Sequence, residues 1–185
     1  MSANSRLRFC YLSYLSKPIS DRLLYRVILR RRYKSILECG IGAAVRALRM
    51  IEAATFHVPP DQVQYTGIDL FEARGDSSGG NVLLLKEAHR LLKATGARIR
   101  LLPGDPFSAL ARAANTLLGT DLVVISADQD PRSVAHAWYY LPRLLHCGSQ
   151  VYLEEAQRPG KTGIWRLVPP EELEALASAR RRQVA

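Results

Sequence analysis

Apolar positions recur along this chain at two spacings. Pro18 and Ser20 open a run to about residue 32 in which Leu23, Leu24, Val27 and Ile28 fall at helical spacing. Arg22, Arg26 and Arg30 stand four apart on another face of that predicted helix. Short, nearly continuous apolar runs predict buried strands over 34–39, 64–69, 98–102, 121–126 and 150–154, with a sixth over 162–168. Between them, helical periodicity predicts helices over 43–56, 82–95, 107–118 and 131–146, and a last helix over 170–182. Pro142 is expected to kink or split the fourth of these, because it cannot donate to the Trp138 carbonyl. Glycine and polar residues make 72–80 a loop, and the first 17 residues read as an irregular arm.

Strand and helix alternate, so the chain is expected to form an α/β fold: a mainly parallel sheet between two helical layers. The sixth strand follows the fifth too closely for a helical crossover and is expected to pair antiparallel. One domain accounts for the whole: residues 1–33 form an arm and a basic amphipathic helix, and 34–185 the α/β unit.

Composition adds limits. The chain has 185 residues, 48% hydrophobic and 23% charged, which suits one soluble domain. No apolar run is long enough for a membrane helix. The stretch 9–15 behind Arg6 and Arg8 is short and holds Ser13, unlike a signal peptide. A cytoplasmic location without membrane attachment is expected. Three scattered cysteines, Cys10, Cys39 and Cys147, form neither a disulfide framework nor a zinc pattern. The net charge of +9 raises nucleic acid as a partner, but aromatic residues do not interleave with the basic ones.

In such a sheet a ligand sits beyond the carboxyl ends of the strands, where strand order reverses. The residues after each strand are therefore the candidates. After the first come Glu38, Cys39, Gly40, Ile41, Gly42 and Ala43. Gly40 permits a sharp turn, Gly42 a close approach of ligand to backbone amides, and Glu38 a carboxylate beside them. After the second come Asp69, placed to accept ribose hydroxyls, and Leu70 and Phe71, placed to cover an adenine face. After the third come Gly104, Asp105 and Pro106, where Asp105 either meets the exocyclic amine of adenine or caps the next helix. After the fourth come Ser126, Asp128 and Asp130, with His136 on the following helix.

Taken together these residues resemble the class I S-adenosylmethionine-dependent methyltransferases, as a trimmed or divergent member. Ile36 to Gly42 resembles the family's first motif, Tyr65 to Asp69 its acidic second, Gly104-Asp105 its third and Asp121 to Asp128 its fourth. The segment 141–149 resembles the helix and turn before strand five, so the resemblance spans 35–154. It implies a three-layer Rossmann-like methyltransferase fold with an antiparallel last strand. It also implies S-adenosylmethionine as cofactor, S-adenosylhomocysteine as product, and Glu38, Gly40, Ile41, Gly42, Asp69, Leu70, Phe71, Gly104, Asp105, Pro106 and Ser126 around it. Asp128, Asp130 and His136 are the candidate bases; Asp128 and Asp130 have the alternative role of capping the helix that starts near Pro131.

Two departures narrow the chemistry. Ser126 replaces the first aspartate of the I-D-x-D pattern of metal-dependent O-methyltransferases, so no metal is expected. No N/D-P-P-Y motif follows strand four, which removes support for amino-group methylation of bases or glutamine. The expected reaction is methylation of a small-molecule acceptor. The alternative is a non-catalytic domain acting through cofactor, partner or homodimer; a nucleic-acid methyltransferase rests on charge alone.

Overall fold

The computed structural model describes residues 3–74, 83–156 and 163–184. Its six-stranded sheet has the order β3-β2-β1-β4-β5-β6. The strands are β1 (Ser35–Cys39), β2 (Gln64–Asp69), β3 (Arg98–Pro103), β4 (Thr120–Ile125), β5 (Leu145–Glu155) and β6 (Ile164–Val168). The first five pair parallel, and β6 pairs antiparallel with β5, Glu154 standing opposite Trp165. Strand order reverses between β1 and β4, which fixes the switch point there.

Alternation along β1 shows why both faces are covered. Ile36 points into a core shared with α2 (Arg22–Arg31), α3 (Val45–Thr55) and α4 (Leu85–Lys93), whereas Leu37 and Cys39 point into the other. That second core is closed by α5 (Pro106–Ala113), α6 (Pro131–Ala137), α7 (Leu141–Leu144) and α8 (Pro170–Val184). Three layers result, as expected for the pattern. No helix among the described residues is long and apolar enough to cross a membrane.

The structure departs from the sequence pattern at the N-terminus and follows it at Pro142. The N-terminal segment is helical, as α1 (Ala3–Cys10) followed by a π-helical turn over Tyr11–Leu15. The π turn breaks the regular spacing, and only Leu12 and Ser13 of that turn are buried, so no 3.6-residue stripe marks it. Pro142 divides the predicted helix over 131–146: α6 ends at Ala137, Pro142 lies in the first turn of α7, and β5 starts at Leu145. Of the predicted loop 72–80, residues 72–74 belong to a 3-10 turn over Phe71–Arg74, and 75–80 lie outside the described residues.

On α2, Leu24, Tyr25, Ile28 and Leu29 are buried while Arg26 and Arg30 are exposed. Arg22 is tied to the chain itself, donating to the Ser16 carbonyl at 2.7 Å.

Candidate functional site

The turn after β1 is built from positive-φ residues: Gly40 at 90°, Gly42 at 56° and Ala44 at 60°. Asp69, at the end of the neighbouring strand, holds this turn. Its Oδ2 accepts from the amides of Ile41 at 2.8 Å and Gly42 at 3.2 Å, and its Oδ1 from Phe71 at 3.3 Å. The amides expected to face a ligand thus already donate to Asp69. Gly42 is nevertheless exposed, with nothing among the described residues within 4 Å of the place a Cβ would take. Ile41 turns inward over β2; a Cβ on Gly67 would collide with its Cδ1, which is why this strand position is glycine.

Glu38 sits one layer deeper. It is 0% exposed, in an otherwise apolar strand, and a buried charge of that kind requires a partner. The partner is Arg46, two residues into α3: its Nε donates to Glu38 Oε1 at 2.6 Å. Nη2 of the same guanidinium donates to the Gly40 carbonyl at 2.7 Å and to Ser126 Oγ, and Nη1 lies 3.9 Å from Glu154 Oε2. Tyr65 donates its hydroxyl to Glu38 Oε2. Burial pushes the Glu38 carboxyl above its ordinary value, while Arg46 and Tyr65 pull it back. Burial also works against the Arg46 charge, but Glu38 and Asp21 outweigh it and the guanidinium stays protonated. Over its face lies the Trp165 ring of β6, 4.9 Å away, whose Nε1 donates to Asp21 at 3.0 Å.

The remaining candidates divide by what they touch. Asp105 caps α5, accepting from the Phe107 and Ser108 amides at 3.0 and 3.2 Å and from the Ser108 and Ser133 hydroxyls. Partial burial raises its carboxyl, but these hydrogen bonds outweigh it and hold it at about 2. Pro106 is buried beneath it, and Gly104 adopts φ 127° at the same corner. Asp130 caps α6 through the Arg132 and Ser133 amides. His136 packs edge-on against Phe107, with ring centroids 5.1 Å apart. Phe71 is in the core at 2% exposure, whereas Leu70 is 38% exposed and faces out. Asp128 is exposed and accepts from Gln129 Nε2 at 3.0 Å; both side chains close on Gly40, where a Cβ would lie 2.7–2.8 Å from them. Ser126 is buried and donates to the Gly40 carbonyl at 3.1 Å.

The Asp105 geometry has a pH consequence. Its folded value of about 2 lies below the ordinary value of an unfolded aspartate, near 4, so its stabilisation is present above that pH and disappears as pH falls from about 4 through 2. Asp105→Asn is expected to be less stable than the parent by about 1 kcal/mol at neutral pH, since Asn still accepts at a cap but without charge. Urea unfolding across pH 7 to 2 checks this: the gap between the two proteins should close at the acidic end, and a constant gap contradicts it.

Sequence reasoning missed Arg46, Trp165, Tyr65, Asp21 and Glu154. One signal was present: an arginine in the first turn of a helix opposes the helix dipole and calls for a nearby carboxylate. Trp165 reaches the site only because β6 folds back beside β5, which local sequence does not encode.

No protein-family model matches the chain, and no curated protein is similar to it in sequence. Solved structures do share its architecture. The O-methyltransferase TomG from Streptomyces achromogenes, solved with SAM, superposes with TM-score 0.55 at 13% identity over 99% of this chain and 78% of its own. A putative caffeoyl-CoA O-methyltransferase from Staphylococcus aureus gives 0.54 at 13% identity, over 100% and 83%. A methyltransferase from Geobacter sulfurreducens gives 0.51 at 16%, over 82% and 70%. The fold is that of the class I methyltransferases. At such identities the methyltransferase fold is what is shared, and chemistry has to be argued from this chain's own residues.

Proposed function

We propose that this chain is an S-adenosylmethionine-binding methyltransferase of small molecules, its site lying over the carboxyl ends of β1, β2 and β4. The observation that carries the reading is the convergence of Asp69 with the exposed Gly42 turn at the switch point of a methyltransferase fold. The residues fit the nucleoside end of the cofactor. Asp69 stands beside the open Gly42 backbone, and Leu70 offers an exposed apolar side chain for a base. Gly104, Asp105 and Pro106 border the same end from β3.

The other end fits differently. Glu38, the Gly40 carbonyl and Ser126 are the acceptors available to a cationic group, and Arg46 engages all three. Arg46 thus stands where the methionine end of the cofactor would seek its polar contacts. Asp128, exposed beside Gly40, is the carboxylate best situated to take a proton from an acceptor. The acceptor itself would use the adjoining depression between β4 and β5, lined by Gln129, Val134, Trp138, Leu153 and Glu154. Asp130 and His136 are secondary candidates, given their cap and ring contacts.

The Arg46 contacts favour a second reading: a methyltransferase-fold protein that binds a nucleoside without transferring a methyl group. Titration calorimetry with S-adenosylmethionine, S-adenosylhomocysteine and 5′-methylthioadenosine tests both. Binding of at least one of them is expected, at least about tenfold weaker in Asp69→Asn, which keeps an acceptor for the turn but loses the charge. Failure of the folded parent to bind any of the three would sink both readings. Incorporation of labelled methyl into a pool of small acceptors separates the first reading from the second.

A further inference from the structure

We infer that the pocket above the β1–β4 switch point is an organic-cation site whose resident occupant is the chain's own Arg46, and that the native protein therefore excludes the cationic end of a ligand. Four oxygens and one aromatic face surround the guanidinium: Glu38 Oε1, the Gly40 carbonyl, Ser126 Oγ, Glu154 Oε2 and the Trp165 ring. A planar cation bordered by carboxylates and capped by an indole is the chemistry by which proteins seize guanidinium and alkylated onium groups. Asp21, bonded to the Trp165 indole, adds a third carboxylate to the field at Arg46. Three carboxylates thus bear on this one guanidinium, so the pocket without it would attract another cation.

Arg46 also arrives from an adjacent element. It belongs to the first turn of α3, directly after the glycine turn, and its side chain is 15% exposed. It is tethered at one end and bonded at the other, so a free ligand must compete with a group already at high local concentration. Gly40, which a nucleoside-linked tail would have to pass, is flanked by Ser126, Asp128 and Gln129 at 2.7–2.8 Å from its Cβ position. The site is thus closed by the chain's own side chains at one end and open at the end that faces the nucleoside portion. Ligand exclusion rests on the second reading above, nucleoside binding without methyl transfer; the cation pocket does not.

Two measurements test the inference. Arg46→Ala should lower Tm by roughly 10 °C, because two carboxylates lose their partner. Millimolar methylguanidinium, against sodium chloride at the same ionic strength, should restore at least half of that loss and leave the parent unmoved. Equal responses in variant and parent would overturn the pocket. Should Arg46→Ala fail to fold, Arg46→Gln, whose amide can still donate to Glu38, is read in the same way. Second, the parent should bind S-adenosylmethionine no more than about threefold tighter than 5′-methylthioadenosine, which lacks the cationic tail, and Arg46→Ala at least about tenfold tighter. A tenfold preference already present in the parent would overturn the exclusion. Binding of neither compound to either protein would instead remove the nucleoside reading, leaving the methylguanidinium result to decide the pocket.

Discussion

Replacing Glu38 with alanine is expected to destabilise the fold by about 3–5 kcal/mol, the cost of breaking a buried ion pair from one side. The carboxylate has no solvent contact, and two side chains depend on it. Arg46 Nε donates to one oxygen at 2.6 Å and the Tyr65 hydroxyl to the other. Arg46 is held by that bond in the orientation that also reaches Gly40 and Ser126. Without the carboxylate, a guanidinium that is 15% exposed and a fully buried phenol keep their desolvation cost and lose their compensation. Glu38→Gln should cost less, since the amide oxygen can still accept one of the two bonds. Urea unfolding reads the effect as a lower midpoint at unchanged slope. A loss below 1 kcal/mol for the alanine variant would mean that the pair offsets only its own burial and adds nothing net. A double change of Glu38 and Arg46 to apolar residues of similar volume should recover much of the loss, which distinguishes a paired charge from packing.

The frame of the molecule was readable from residues 34 to 168 because its signals are local. Ile36 and Leu37, or Leu122 to Ile125, form apolar runs whatever they later pack against, and glycine or proline closes three of the six predicted runs. The antiparallel β6 followed from the short span after β5. The site was readable only in part, for a physical reason. Sequence shows which residue types follow each strand, but a carboxylate satisfied by its own backbone looks the same there as one awaiting a ligand. Asp105 and Asp130 turned out to be caps with amide partners two and three residues on. Phe71 is directed into the core by a backbone at φ 48°, which no periodicity signals. Arg46 lies four residues beyond the Ile36–Gly42 motif, and its importance depends on Glu154 and Trp165, which only the β5–β6 hairpin brings near.

That dependence makes Trp165→Ala the second large effect, with an expected loss of about 3–5 kcal/mol. The indole is 4% exposed, so truncation leaves a cavity between α2, α3 and β6. It also removes the Nε1 donor from Asp21, itself 4% exposed and without a capping bond to its own helix. A carboxylate stranded in that way adds to the cavity term rather than replacing it. Trp165→Phe separates the two contributions: it keeps an aromatic face over Arg46 and most of the buried area, and loses only the hydrogen bond. It should cost about 1–2 kcal/mol by comparison. If phenylalanine were as damaging as alanine, the Asp21 bond would outweigh the packing, and Trp165 would act chiefly as a donor. If neither change mattered, the hairpin would not brace Arg46 at all. The expected order, alanine well below phenylalanine and phenylalanine below the parent, would show that an N-terminal carboxylate and a C-terminal strand jointly fix the arginine that fills the switch point.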